Sequence, residues 1–595
     1  MNKIESRLYD LRRLMSARGI SAFITPSTDP HCGEYVPERW KSRRWISGFT
    51  GSAGIAVVTS DQAALWTDSR YFIQATEQLK DTGFQLMKEK IEGTPTIAEW
   101  LGSILKKDDT VAVDGWVNTV AEVNTMKADL EPYGLQLTTD LDPYDTIWTD
   151  RPGIPDSKVF VHGVEYAGET AAHKLQRIRE QLGSHALLTT FLEDIAWTLN
   201  LRADDILYTP FFVSYLIITP TTATLYINKE KVPSEVEAYL KSEGINIRPY
   251  EAITDDLQAC ELPVEVQLDK TNYTTYKAIR QPIAKASPIP HMLMFKNPTE
   301  IKGYRNAMEK DGVAMVKWMK WTLENVPKGG QTELSLAAKL EAFRREQPLC
   351  MGISFESIMG YAHHGAIVHY DPTPETDIPV KPEGLLLIDS GGQYLDGTTD
   401  ITRTLPLGPL TEEMRRDYTL VLKGWIGLGS AVFPKGTCGT QLDTLARMAM
   451  WRYGINYLHG TGHGVGQFGS VHENIDLHQF RMQWRPTPLL PGMVITDEPG
   501  IYIEGSHGVR HENTMLVVNA SFEGDSEGQG ITFGPYYTFE HLTLCPVITS
   551  PIVKEMLTAE EVEWFNRYQQ TVYDRLSPRL DSGHQTWLHQ VTQPI

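Results

Sequence analysis

The chain reads as a protein of mixed α/β and α+β class: two similar N-terminal α/β domains followed by a longer α+β domain that carries the chemistry. Three observations predict this. First, VVTSDQAALWT (Val57 to Thr67) aligns without gaps on IITPTTATLYI (Ile217 to Ile227), with threonine at 59 and 219, alanine at 63 and 223, and leucine at 65 and 225. Second, from residue 297 capped helical runs give way to strand-like apolar runs broken by Gly-Gly and Pro-Gly, the order of an α+β domain. Third, those late runs carry Asp389, Asp400, Glu498 and Glu512, with His463 between glycines in HGTGHG. Acids are almost never buried unless they are paired or bind a metal.

The first domain, 1–150, opens with a helix over about Lys3 to Arg18 and a strand over Ser21 to Thr25. A hairpin follows, apolar Ile55 to Val58, polar Ser60-Asp61-Gln62, apolar Ala63 to Trp66, and then a helical pattern from Tyr71. The second domain, 151–296, repeats this plan, and the linker TDRPGIPDS (Thr149 to Ser157), with two prolines and a glycine, marks the boundary. Two unrelated hairpins are the plainer alternative.

The third domain, 297–595, starts with Asn297 as N-cap, Pro298 at the first helical position and Glu300 where a capping box needs it. Ile301, Tyr304, Met308, Val313 and Val316 keep helical spacing. Thr332 caps a helix through about Arg345, Thr411 caps another, and Gln441 to Tyr453 forms a fourth that Gly454 stops. The C-terminal extension 551–595 holds a capping box, Thr558 to Glu561, before Val562, Trp564, Phe565 and Tyr568. Such an apolar helix either packs on its own domain or joins a partner.

Charge excludes one class of partner. With 55 basic and 75 acidic residues the formal net charge is −20, which disfavours nucleic acid, because phosphate binding needs a basic surface. No run of 18 apolar residues occurs and the N-terminus has no secretory pattern, so no membrane association and a cytoplasmic location are expected. The five cysteines contain no C-x-x-C pair, which argues against a disulfide framework or a cysteine zinc site.

Asp389 and Asp400 stand 11 residues apart across a Gly-Gly turn, and Glu498 and Glu512 stand 14 apart across a Pro-Gly turn. Each pair is expected to present two carboxylates on one face of a hairpin, and two facing hairpins would gather four at one centre. Four carboxylates cancel the charge of two divalent cations, and one imidazole shifts the preference toward manganese, cobalt or zinc. Two such ions roughly 3.5–4 Å apart hold and activate a water, so the expected reaction is hydrolysis. His369, His459 and His472 are candidates for the proton and oxyanion work that amide cleavage needs. Arg510, two residues before Glu512, is a candidate to orient a ligand. Taken singly, Asp400 and Glu498 also read as turn acids, and His472 as an ordinary surface or core histidine. Other motifs fail: no H-E-x-x-H occurs, TGSAG near Ser52 lacks the first glycine of a nucleophile elbow, and the glycines at 464, 466 and 469 do not open a crossover helix.

At these residues the chain resembles the pita-bread metallopeptidases, and within them the aminopeptidase P family of the long, three-domain type. The likeness spans ISGFTGSAG, WTDSRYF, LEDIAWTLNLRADDI, the acid-bearing blocks and TFEHLTLCP. It implies a pita-bread catalytic domain over 297–595 and hydrolysis of the N-terminal Xaa-Pro bond of peptides through a hydroxide held by two metals. Asp389 would be a terminal ligand of one metal, Asp400 and Glu512 would bridge both, and His463 and Glu498 would complete the second, with Glu498 as base partner. His369 and His472 would contact substrate and intermediate, and His459 would line the pocket for proline. The family's usual metal is manganese and its members are usually homodimers, the C-terminal segment contributing to the dimer. The His363-His364 pair departs from a polar turn nearer Asn-Gly, which puts local substrate contacts in doubt. The alternatives are a prolidase acting on Xaa-Pro dipeptides and an inactive peptide-binding relative.

Overall fold

Two six-stranded sheets of the same topology fill the first of two units in the computed structural model, which describes residues 3–473, 480–484, 486–522 and 534–595. This unit comprises 1–164 with 169–291, and the second comprises 165–168 with 292–595. In the first sheet Ala22–Thr25 lies antiparallel to Ile55–Thr59, which pairs with Ala63–Thr67, while on its other edge it runs parallel to Thr110–Ala112. In the second sheet Ala186–Thr189, Tyr215–Ile218, Ala223–Tyr226 and Val264–Val266 take the same places with the same directions. The hairpin registers coincide as well: Val58 faces Ala63, and Ile218 faces Ala223. The aligned repeat therefore marks the same hairpin in both sheets. Its alanines and leucines are buried, as expected for strands covered on both faces.

His31 ties the two sheets of this unit together. Its Nδ1 bonds the Thr190 carbonyl at 2.8 Å and its Nε2 the Tyr250 hydroxyl at 2.9 Å, and the ring is fully buried. Burial pushes the imidazole down to about 3. The unfolded chain takes up a proton here below its ordinary value of about 6.5 and the folded chain does not, so stability falls as pH drops from there toward 3. Asp29 beside it works in the opposite direction, burial pushing its carboxyl up to about 6. Comparison with His31→Gln cancels the aspartate. Urea unfolding of the two proteins is expected to show the wild type losing about 1.4 kcal/mol per pH unit against the variant below pH 6.5. A pH-independent difference would contradict the neutral buried imidazole.

In the second unit the long helix Pro298–Asn325 starts at a capping box made by Asn297 and Glu300. Helices Glu333–Arg345, Glu412–Gly429 and Gly439–Trp451 follow, and antiparallel sheets carry the acids. One sequence expectation needs correction. The Gly-Gly and Pro-Gly pairs are not the hairpin turns. After Leu385–Ser390 the chain leaves its sheet at Gly391, turns between Gly392–Tyr394 and Gly397–Thr398, and returns as Ile401–Pro406. A side chain at Gly391 would meet the Thr399 carbonyl at 2.0 Å, so the glycine serves a close backbone approach. In the same way Gly500–Ile503 and His507–Arg510 form a separate ribbon between Val494–Asp497 and Asn513–Asn519. The extension 551–595, whose apolar helix fits either its own domain or a partner by sequence, is anchored within its own chain. Its helix Ala559–Leu576 packs back on its own unit, with Phe565, Val572 and Leu576 fully buried against Val313, Val316 and Trp425. Each such side chain contributes roughly 1.5–3 kcal/mol.

Candidate metal centre

Strand geometry collects the acids. Asp389 is the penultimate residue of the strand Leu385–Ser390 and faces Thr402 of its antiparallel neighbour, and Asp400 precedes that neighbour by one residue. The paired strands Val494–Asp497 and Asn513–Asn519 do the same for the other two acids: Asp497 faces Asn513, so Glu498 and Glu512 flank the end of the ladder. His463 arrives on a segment that pairs with this ladder. The Thr496 amide donates to the His463 carbonyl at 2.9 Å, and the Glu498 amide donates to the Thr461 carbonyl at 2.7 Å. Gly462 permits the approach, since a Cβ there would lie 1.9 Å from the Thr496 carbonyl oxygen.

Ligand atoms of Asp400, His463 and Glu512 all lie within 4.8 Å of one another. His463 Nε2 stands 3.4 Å from Asp400 Oδ2 and 3.6 Å from Glu498 Oε1. Its other ring nitrogen, Nδ1, is 2.9 Å from the Gly464 carbonyl, so it carries the proton and leaves Nε2 as a lone-pair donor toward the acids. Thr402 donates to Glu512 Oε2 at 2.8 Å. Arg510 NH2 donates to Asp389 Oδ2 at 2.6 Å, while Asp389 Oδ1 is buried with no hydrogen-bond partner.

The acids are uncomfortable together. Burial, then the charges of Glu512 and Asp389, pushes the Asp400 carboxyl well above the usual range. Burial, then Glu498 and Asp389, does the same to Glu512. Glu498 is raised by burial and by Asp400 and Asp389, with Arg510 pulling the other way. Mutually repelling acids, an orphaned carboxylate oxygen and an imidazole lone pair form the donor set that two divalent cations satisfy. Cation binding must therefore displace protons. Adding Mn²⁺ to metal-free protein in weakly buffered solution at pH 7 is expected to acidify it by at least one proton per chain, read by pH-stat titration. Binding without proton release would contradict the raised carboxyls.

The other candidates fall around this cluster. The His472 ring stands edge-to-face on His463 at 4.3 Å, and its charge acts on Asp400. His459 Nε2 bonds the Tyr502 hydroxyl at 2.8 Å, and Arg510 NH1 donates to that hydroxyl at 2.7 Å. A chain of contacts thus links His459 through Tyr502 and Arg510 to Asp389. His369 follows Val368, whose carbonyl accepts from Arg510 NH2 at 3.3 Å. Arg510, on the two-stranded ribbon, therefore grips Asp389 of a different sheet and not its sequence neighbour Glu512. His364, part of the departing pair, bonds the buried Glu333 carboxylate through Nδ1 at 2.9 Å. Sequence reasoning missed Thr402 and Tyr502. Thr402 shares a strand face with Asp400 by the two-residue period, a signal available in the sequence, whereas Tyr502 is placed by the ribbon that only the fold reveals.

A fold of this kind around such an acid cluster defines a metallopeptidase. The description "Metallopeptidase family M24" matches residues 302–519, "C-terminal region of peptidase_M24" matches 535–595, and "Creatinase/Prolidase N-terminal domain" matches both 7–141 and 150–300. The chain is 39% identical over 615 residues to a probable Xaa-Pro aminopeptidase P of Talaromyces marneffei, covering 99% of this chain and 92% of that protein. It is 34% identical to aminopeptidase P1 of Arabidopsis thaliana, covering 99% of each. The crystal structure of the Caenorhabditis elegans X-prolyl aminopeptidase, described as a cytosolic enzyme with a di-nuclear active site, superposes with a TM-score of 0.94 at 31% identity over 100% of both chains. The chain belongs to the Xaa-Pro aminopeptidase P family of the M24 metallopeptidases.

Proposed function

We propose that this chain is a metal-dependent aminopeptidase that hydrolyses the bond between the first residue of a peptide and a following proline. The observation that carries this reading is the convergence of Asp400, His463 and Glu512 within 4.8 Å, with Glu498 and Asp389 beside them, in a chain similar along its whole length to aminopeptidases P. The site roles are ours: Asp389, Asp400, His463, Glu498 and Glu512 would hold two divalent metal ions. When bound, the pair supplies a nucleophile at neutral pH and Lewis acidity at the scissile carbonyl. Mn²⁺ is the preferred occupant, on one imidazole among carboxylates.

The chain's own groups do the rest. Glu498, its carboxyl raised by burial, takes a proton from the attacking water and returns it to the proline nitrogen, which becomes an amine. His472 and His369 hold the carbonyl oxygen as it gains charge. His459, packed between Tyr457 and Tyr502, lines the proline pocket. A bond before proline has no N–H and a restricted preceding residue, so a strand-like binding cleft cannot grip it, and a dedicated pocket is needed.

We divide the chain into domains 1–150, 151–296 and 297–595. A homodimer is supported by the exposed Met448, Trp451, Tyr453 and Leu458 at and after the end of helix Gly439–Trp451, since clustered exposed apolar side chains mark interfaces. A cytoplasmic location is supported by the likeness to the cytosolic C. elegans enzyme. Mn²⁺-loaded protein is expected to release alanine from Ala-Pro-Ala faster than it cleaves the dipeptide Ala-Pro, and to leave Ala-Ala-Ala intact. Faster turnover of the dipeptide would make it a prolidase, and no turnover of any would make it a binding protein.

A further inference from the structure

Lys296 lies outside the segment matched to the M24 metallopeptidases, at the end of the stretch matched to the creatinase N-terminal domain. Its side chain is nonetheless buried in the second unit, at 1% exposure. The ammonium donates to both oxygens of the Glu473 carboxylate, to Oε2 at 2.6 Å, and to the Leu293 carbonyl at 2.9 Å. Glu473 is equally buried, at 3% exposure.

Glu473 is the residue after His472, and its backbone is pinned on the other side. Its amide donates to the Gly464 carbonyl at 2.8 Å, and the two residues form an antiparallel bridge. Gly464 follows His463. The Lys296 amide in turn donates to the Gly492 carbonyl at 2.9 Å, at the entry to the strand that ends before Glu498. One lysine therefore anchors the segment bearing His472 and the turn that leads to Glu498. His472 directly precedes this doubly anchored residue, with its ring held edge-to-face on His463 at 4.3 Å.

Taking two charges out of water carries a desolvation cost that a buried ion pair only partly recovers. Apolar packing would fill the same space without it. The pair does something that apolar packing cannot: a carboxylate gripped through both oxygens fixes the direction of the segment. We infer that Lys296 is a positioning residue for His472, acting through Glu473, and that the catalytic histidine is thus held from a residue outside the metallopeptidase segment. This rests on the peptidase reading above for its kinetic readout only.

The test uses full-length protein. Lys296→Met alone strands the Glu473 charge and is expected to lower stability, so the deciding variant is Lys296→Met/Glu473→Gln, which removes both charges. It is expected to fold and bind metal as the wild type does, to lose kcat on Ala-Pro-Ala on the order of 10²-fold, the effect of about 1 Å of misplacement, and to keep KM within about threefold. Lys296→Arg is expected to restore most of the kcat. In crystals of the metal-free double variant, His472 is expected to have left its contact on His463. A folded double variant with wild-type kcat, or with His472 still seated on His463, would overturn the inference. If the wild type left Ala-Pro-Ala intact, the peptidase reading would fall, while the position of His472 in the two crystal structures would still decide the role of Lys296.

Discussion

Asp400→Asn is expected to lower kcat/KM on Ala-Pro-Ala by at least ~10³-fold, beyond the ~10–100-fold typical of losing an outer partner of a metal ligand, and at the same time to stabilise the metal-free protein. The two effects come from one cause. Asp400 is 3% exposed, and burial with the charges of Glu512 and Asp389 drives its carboxyl upward. Without cations that charge is a burden, and an amide of the same shape relieves it. A gain of about 1 kcal/mol, within the usual range for relieving functional strain, raises the melting temperature by roughly 2–4 °C in a domain of this size. With cations the same carboxylate is the proposed ligand, and its loss is expected to empty the centre. Calorimetry on metal-free protein, with metal content and peptide turnover on loaded protein, measures both. A variant less stable without metal, or one that keeps both ions and its activity, would refute this account of the cluster.

Arg403→Met is expected to be among the most destabilising single changes in the second unit, about 3–5 kcal/mol. The guanidinium is 1% exposed. It donates to the carbonyls of Thr402, Glu512, Cys545 and Pro546, to Asn513 Oδ1 and to the Tyr568 hydroxyl, at 2.7 to 3.3 Å. One side chain thus joins the Asp400 strand, the Glu512 backbone, the segment after residue 541 and the C-terminal helix. Methionine fills the volume but leaves four carbonyls facing an apolar group. The melting temperature is expected to fall by on the order of 10 °C, with activity declining as Glu512 loses its brace. A loss under about 1 kcal/mol in urea unfolding would show that these carbonyls find other partners.

The contrast between these two residues explains what could be read in advance. Asp400 reads as a turn acid by itself and becomes legible only in the set with Asp389, His463, Glu498 and Glu512. One hairpin in each of the first two sheets was legible: short apolar runs and a matched turn spacing fix it locally, and Val57–Thr67 repeats at Ile217–Ile227, whereas the six-stranded order depends on distant pairings. Caps at Asn297, Thr332, Thr411 and Thr558 depend on three or four adjacent residues and appear as expected. Arg403, Lys296 and Tyr502 gave no signal, because each has a partner far along the chain, at Glu512, Glu473 and His459 respectively. The turns were misread for a related reason. Gly-Gly and Pro-Gly fit a turn locally, but at Gly391 the deciding contact is with the Thr399 carbonyl across a strand switch. The 551–595 helix carries an apolar face that fits either its own domain or a partner, and the fold shows Phe565 and Tyr568 buried in its own unit.

The most direct test of the central claim is to strip the full-length protein with chelator, restore Mn²⁺ stepwise, and follow bound metal and Ala-Pro-Ala cleavage together. Activity is expected to be absent in the stripped protein and to reach its maximum as the second equivalent binds per chain, with alanine as the first product. Full activity in the metal-free protein, or two bound equivalents with the Ala-Pro bond left intact, would contradict it.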